Sequence, residues 1–139
     1  MRWLVVACLL VVAPASAPAS AQDLGAEDRA MIESVIRAQL AAFLRDDEAA
    51  AFGYAAPGIQ ASFQSPANFM EMVRRGYQPV YRPRTFEFRE VRKGPAGPEQ
   101  RVFVIGPDGK AYVAIYPMER QPDGTWRVNG CFLVRDPSV

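Results

Sequence analysis

The chain has 139 residues, 50% of them hydrophobic, with 16 basic and 15 acidic side chains, no histidine and two cysteines. That size builds one hydrophobic core rather than two, and a formal charge of +1 offers no overall basis for holding nucleic acid or an anionic membrane surface. Without histidine, and with so few thiols, neither a zinc site nor a haem site is expected, and no cofactor or metal is assigned.

Residues 1–21 read as an export signal. Arg2 supplies the positive start, Leu4 to Ala13 the apolar run, and Ala19-Ser20-Ala21 the small-residue cleavage motif. The run is shorter than the roughly 20 residues a membrane span needs, so no membrane insertion is expected after cleavage. Val5-Val6-Ala7-Cys8 resembles a lipoprotein cleavage box but lies too early, with most of the apolar run still to come. The expected mature chain is one domain over residues 22–139, periplasmic or secreted. Cleavage would leave Cys131 as its only cysteine, so an internal disulfide is ruled out and stability must come from the core.

Asp23 to Arg45 predicts the first helix, with Ile32, Val35, Ile36, Gln39, Leu40, Phe43 and Leu44 along one face. Glu27 and Asp28 stand on the favoured side of its dipole. Asp46-Asp47 interrupts it, and Asp47 is placed to cap a short second helix reaching Tyr54, with Pro57-Gly58 ending that helix. Ile59 to Gln64 links onward with room for one more helical turn.

The stretch from Ser65 to Pro83 is the most strongly punctuated in the chain. Ser65 is a good N-cap and Pro66 suits the first helical position, where its missing N–H is no loss. Phe69, Met72 and Val73 give a short apolar stripe, and Arg74 and Arg75 meet the negative end of the helix dipole. Gly76 is expected in the left-handed conformation that closes the helix. Pro79 and Pro83 bias Gln78 and Arg82 toward extended geometry, so a stiff strap is expected beyond it. Arg74, Arg75, Arg82 and Arg84, flanked by Tyr77 and Tyr81, are candidates to converge on an anion, since guanidinium grips carboxylate or phosphate through two hydrogen bonds. The competing reading makes them solvated charges and dipole partners, with the tyrosines covering the core edge.

From Thr85 the period becomes alternating, with Phe86 and Phe88 on one side and Thr85, Glu87 and Arg89 on the other. Lys93 to Pro98 is expected as a loop, Arg101 to Ile105 and Ala111 to Met118 as strands, and Thr125 to Val134 as a fourth strand. The turns at Pro107-Asp108-Gly109 and at Gln121 to Gly124 make the last three an antiparallel meander. Simple alternation puts Trp126, Val128, Phe132 and Val134 on one side of the fourth strand, with Cys131 and Leu133 on the other. The fold class is therefore α+β, with N-terminal helices packed on a curved antiparallel sheet of about four strands. Helices can cover only one sheet face, so the other must line a pocket, meet a partner or curve away. Gly130 is the natural bend.

The segments FGYAAPGIQ, SPANFMEMVRRGYQPVYRP and PDGTWRVNGCFLV resemble the exported bacterial family described as domain of unknown function 4864. The order of helices then meander also resembles the nuclear transport factor 2-like, or cystatin-like, fold, a cone of curved sheet around a cavity. The family resemblance implies no settled activity. The broader fold includes ketosteroid isomerase, dehydratases and non-catalytic pocket or dimerisation modules.

Three functions follow. A non-catalytic periplasmic module would bind a small, anionic ligand or a partner protein, using the four arginines, Tyr77, Tyr81 and Asn129, with Trp126 as a wall or, more simply, a core residue. An isomerase- or dehydratase-type enzyme would need Glu71, Glu87 or Glu119 as base and Tyr54, Tyr112 or Tyr116 as donor, and no spacing selects a trio, so no catalytic residue is assigned. A structural module would form a homodimer through the exposed sheet face, using Val113, Ile115 and Leu133. Cys131 lacks an imidazole to activate it and reads as a small buried apolar residue.

Overall fold

A computed structural model describes residues 24–138; the expected export signal lies outside the described residues. The order is α1 (Ala26–Leu44), α2 (Glu48–Gly53), α3 (Pro57–Phe63), α4 (Pro66–Gly76), α5 (Gln78–Tyr81), then β1 (Thr85–Gly94), β2 (Gly97–Ile105), β3 (Ala111–Arg120), β4 (Trp126–Val128) and β5 (Phe132–Arg135). This is the α+β class, with helices followed by a curved, unclosed antiparallel sheet.

Local chemistry sets most of the helix ends. Asp47 Oδ1 accepts from the Ala50 amide at 3.1 Å to start α2, and Ser65 Oγ accepts from Asn68 at 3.1 Å to start α4. Pro57 opens α3 rather than merely ending α2, because an N-terminal helical position needs no N–H from it. Gln64, at φ 68°, stops α3 in the left-handed region. On α1, Ile32, Ile36, Gln39, Leu40 and Phe43 are buried, and with Met70, Val102, Val104, Tyr116 and Met118 they build the core between helices and sheet.

Two expectations about the central stretch are corrected. Gly76 does not take the left-handed conformation; it is the last residue of α4, and Tyr77 at φ −133° caps the helix instead. The strap after it is a one-turn helix, α5, with Pro79 in its first turn, where the chain reverses instead of running out extended.

The sheet differs from expectation in two places. Lys93 to Pro98 is a hairpin, not a free loop: Lys93 pairs with Pro98 and Gly94 with Gly97, leaving Pro95 and Ala96 as the turn. The fourth strand is two strands, β4 and β5, both paired with β3. Between the pairs Met118↔Val128 and Ile115↔Phe132, β3 has Tyr116 and Pro117 while the other strand has Asn129, Gly130 and Cys131. That one extra residue is a bulge, with Gly130 at φ 143° and the Asn129 amide donating to Pro117 O at 2.8 Å. A slip of one residue exchanges the two faces. Trp126 and Val128 accordingly point into the core, whereas Phe132 and Val134 point out, 61% and 50% exposed, and Cys131 and Leu133 pack against the core. The expected shared face of Trp126, Val128, Phe132 and Val134 is therefore wrong beyond Gly130.

The α2–α3 connection ties the helices to this sheet. The Ala56 amide donates to Val128 O at 2.8 Å and the Val128 amide to Tyr54 O at 2.9 Å, so the α2–α3 connection continues the sheet past β4. Gln60 Nε2 donates to Phe52 O at 3.0 Å and Ala55 O at 3.1 Å, bracing α3 against the end of α2.

Candidate functional site

The helices and the inner face of the sheet enclose a cavity of about 460 Å³, reaching the surface beside the β4–β5 bulge. Its apolar wall includes Phe43, Phe63, Phe69, Met72 and Val73 from the helices and Val128 from β4. Phe69 makes this wall continuous: its ring centroid lies 5.6 Å from that of Phe52, 5.8 Å from Phe63 and 6.4 Å from Phe43. The bulge itself, Asn129 to Phe132, forms one rim. A straight strand would present only alternate residues to the cavity; the bulge is why consecutive ones line it.

Few polar groups face this space. Gln39 is buried, with its amide nitrogen donating to Ala51 O at 3.0 Å. Tyr77 lines the wall, and burial raises its phenol above the ordinary value, with a smaller contribution from Cys131. The Tyr116 side chain is 1% exposed, and its hydroxyl has no hydrogen-bond partner among the described residues. Burial pushes the Tyr116 phenol well above the ordinary value, with Cys131 adding to the rise. Burial pushes the Cys131 thiol up to about 12, against a smaller opposing effect of the Tyr116 hydroxyl beside it. A thiol in that state is a small apolar wall group, not a nucleophile. No acidic or basic side chain is among the residues lining the cavity.

The sequence candidates divide between this cavity and a second place. Tyr77 and Asn129 line the cavity. Tyr81, Arg74 and Arg82 meet on Asp46, a carboxylate of the chain itself. The Tyr81 hydroxyl donates to Asp46 Oδ1, Arg74 Nη2 lies 3.4 Å from Oδ1, and Arg82 Nη2 lies 2.9 Å from Oδ2. Arg82 also donates to Phe43 O at 2.5 Å, serving a carbonyl at the end of α1, and its guanidinium carbon stands 3.9 Å from the Tyr81 ring centroid. Asp46 is held below the ordinary carboxylate value, chiefly by the Tyr81 hydroxyl and then by Arg74 and Arg82. Arg75 reaches Glu71 on the exposed side of α4, and Arg84 donates to Pro107 O at 2.9 Å. Of the four arginines, Arg74 and Arg82 share Asp46, while Arg75 and Arg84 each have a partner of their own.

Trp126 is buried, with Nε1 donating to Asp28 Oδ1 at 3.0 Å beside the Arg120–Asp28 ion pair, which fixes the start of α1 to the sheet. Of the possible bases, Glu71 pairs with Arg75, Glu87 lies 3.7 Å from Arg89, and Glu119 accepts from Gln121 at 3.1 Å; none lines the cavity. Tyr112 donates to Asp108 at 2.8 Å. Tyr116 is the one donor candidate that the fold delivers to the cavity. Its inward direction was readable from alternation in β3, but the site around it was not, because its walls come from elements far apart in sequence.

The model of the family described as Domain of unknown function (DUF4864) matches residues 25–139. No curated protein and no solved structure matches the chain.

Proposed function

Since the chain belongs to this family, whose description assigns no activity, we propose a function from the cavity: an exported, non-catalytic periplasmic module that holds a small, mainly apolar molecule between its helices and its sheet. The observation that carries this reading is a cavity of about 460 Å³ walled by apolar and aromatic side chains with a few polar groups among them. Volumes of about 300–1,000 Å³ with that lining are typical of small-molecule sites. In this reading the sheet and helices form a cone of the nuclear transport factor 2-like kind, with the bulge at its mouth. The occupant is uncharged, because no guanidinium or ammonium lines the cavity to offset a buried anion. Proton-transfer chemistry has a donor in Tyr116 but lacks a carboxylate base in the lining.

Native mass spectrometry of the protein isolated from its own cell envelope tests this. The expected spectrum contains the chain with one added small molecule, and Ile59→Trp, which fills the cavity from α3, removes the added mass while the circular dichroism stays native. A spectrum of bare chain alone, or an added mass indifferent to Ile59→Trp, overturns the reading.

A second reading, a homodimer through the outer sheet face, is favoured by the exposure of Phe132 and Val134 beside Val113 and Ile115. Sedimentation velocity checks it: a dimer that Val134→Lys converts to monomer supports this reading, and a monomer at all concentrations removes it.

A further inference from the structure

Resting on the dimer of that second reading, we propose that its contact is main-chain pairing between the β5 strands of two copies, antiparallel about a two-fold axis at Leu133. β5 is an outer strand of the sheet: it pairs with β3, and no strand lies beyond it among the described residues. The other margins of the sheet are protected. The α2–α3 connection bridges β4 through Ala55 and Val128. β1 carries Glu87, Arg89, Glu90, Arg92 and Lys93, and its register shifts between Phe88 and Val91; charges and a bulge of this kind keep an edge strand from pairing. The stretch from Phe132 to Val134 has neither. Among the described residues the exposed large apolar side chains are Leu44, Phe132 and Val134, so two of the three stand on this one short strand.

The ladder fixes which groups of β5 are free. The Asp136 amide donates to Ala111 O at 2.9 Å, so Asp136 and Ala111 form a hydrogen-bonded pair. In an antiparallel ladder such pairs alternate with open ones. With Val113↔Val134 and Ala114↔Leu133 in register, Phe132 and Val134 turn their N–H and C=O toward β3, while Leu133 and Arg135 turn theirs to the free edge. A second β5 laid antiparallel there must also match faces, with Phe132 and Val134 outward and Leu133 toward the core. Centring the pair on Leu133 meets both conditions. Leu133 of each copy then donates its amide to the Leu133 carbonyl of the other, and Phe132 of each stands opposite Val134 of the other, in the open pairs where side chains lie closest. A strand that satisfies its own edge in this way closes as a dimer, whereas pairing with β1 of another copy would propagate into a filament.

Disulfide trapping tests the register, and sedimentation velocity tests the dimer. In the proposed pairing, the Cα atoms of Phe132 and the opposing Val134 lie about 4.5 Å apart, within the roughly 4.4–6.8 Å that a disulfide spans, whereas like positions lie diagonally at about 7–8 Å. Chains carrying Phe132→Cys mixed with chains carrying Val134→Cys should, under mild oxidation, give about ten times more dimer linked between these positions, read by peptide mapping, than either chain alone. Amide hydrogen exchange of the wild type supplies a readout without substitution. Exchange at Leu133 should slow as concentration rises through the dimerisation range, while Phe132 and Val134, bonded to β3, stay unchanged. A wild-type monomer at all concentrations removes the dimer reading, and this inference with it. A dimer in which the mixed chains link no better than either alone, or in which Leu133 exchanges as fast as in the monomer, overturns the edge pairing and leaves face-to-face association standing. Should the cysteine chains fail to fold, exchange at Leu133 decides.

Discussion

Asp46 is the residue on which the central stretch closes. It stands at φ 53°, a conformation that Asp and Asn tolerate better than other side chains, and gathers Tyr81, Arg74 and Arg82. Its carboxyl is held below the ordinary value of 3.8. A carboxylate with a depressed folded value adds stability that is complete above its unfolded value and is lost as pH falls through the folded one. Thermal melts should therefore show this contribution weakening once the pH drops below 3.8, and Asp46→Asn, which keeps the backbone preference but removes the charge, should flatten that part of the profile. Arg82→Ala should lower stability by roughly 1–3 kcal/mol in chemical denaturation, because it uncovers a helix-end carbonyl as well as breaking the ion pair. Cys131 offers a third check. With its thiol pushed up to about 12, only about one molecule in ten thousand is ionised at pH 8. Labelling by a disulfide reagent should be correspondingly slow in the native protein and fast in urea.

At the scale of elements, two glycines that look alike in the sequence call for opposite substitutions. Gly76 is helical, and a Cβ there would meet nothing within 4 Å. Gly76→Ala should thus stabilise the protein by about 0.5–1 kcal/mol, through helix propensity and a less flexible unfolded chain. Gly130 stands at φ 143° in the bulge, where the nearest atoms to a Cβ, in Pro117, lie at 3.8 Å, so the obstacle is backbone conformation and not space. Gly130→Ala should destabilise by about 1–3 kcal/mol. Both changes are read from denaturant midpoints. The comparison also locates what was legible beforehand. Ser65 and Asp47 accept from amides three residues away, and Pro66 acts through its own fixed φ, so these helix starts could be read directly. Gly76 and the strap beyond it could not, because Tyr81 is drawn to Asp46, 35 residues earlier in the chain, and that contact favours a turn over an extended run. The broken strand escaped for a similar reason: alternation continues on paper, and only the pairing with β3 reveals the extra residue.

For the whole molecule, the long helix α1 is pinned at both ends, by Trp126 and Arg120 on Asp28 and by Arg82 on Phe43 O. The cavity lies in the layer between, so its volume depends on how firmly α1 is held over the sheet. Trp126→Phe removes one hydrogen bond to a charged acceptor and should cost about 1.5–3 kcal/mol, measured by urea unfolding. The bulge beside the cavity also makes the chain unequally tolerant of changes in length. Losing a single codon at the Pro95–Ala96 turn shortens a hairpin tip. Losing the codon for Gly130 sets Asn129 opposite Pro117 and Cys131 opposite Tyr116, which leaves Phe132 and Val134 outward but straightens the strand and removes the bulge from the cavity rim. A lineage that kept the cavity would be expected to vary in length at the hairpin tip and hold its count between Val128 and Phe132.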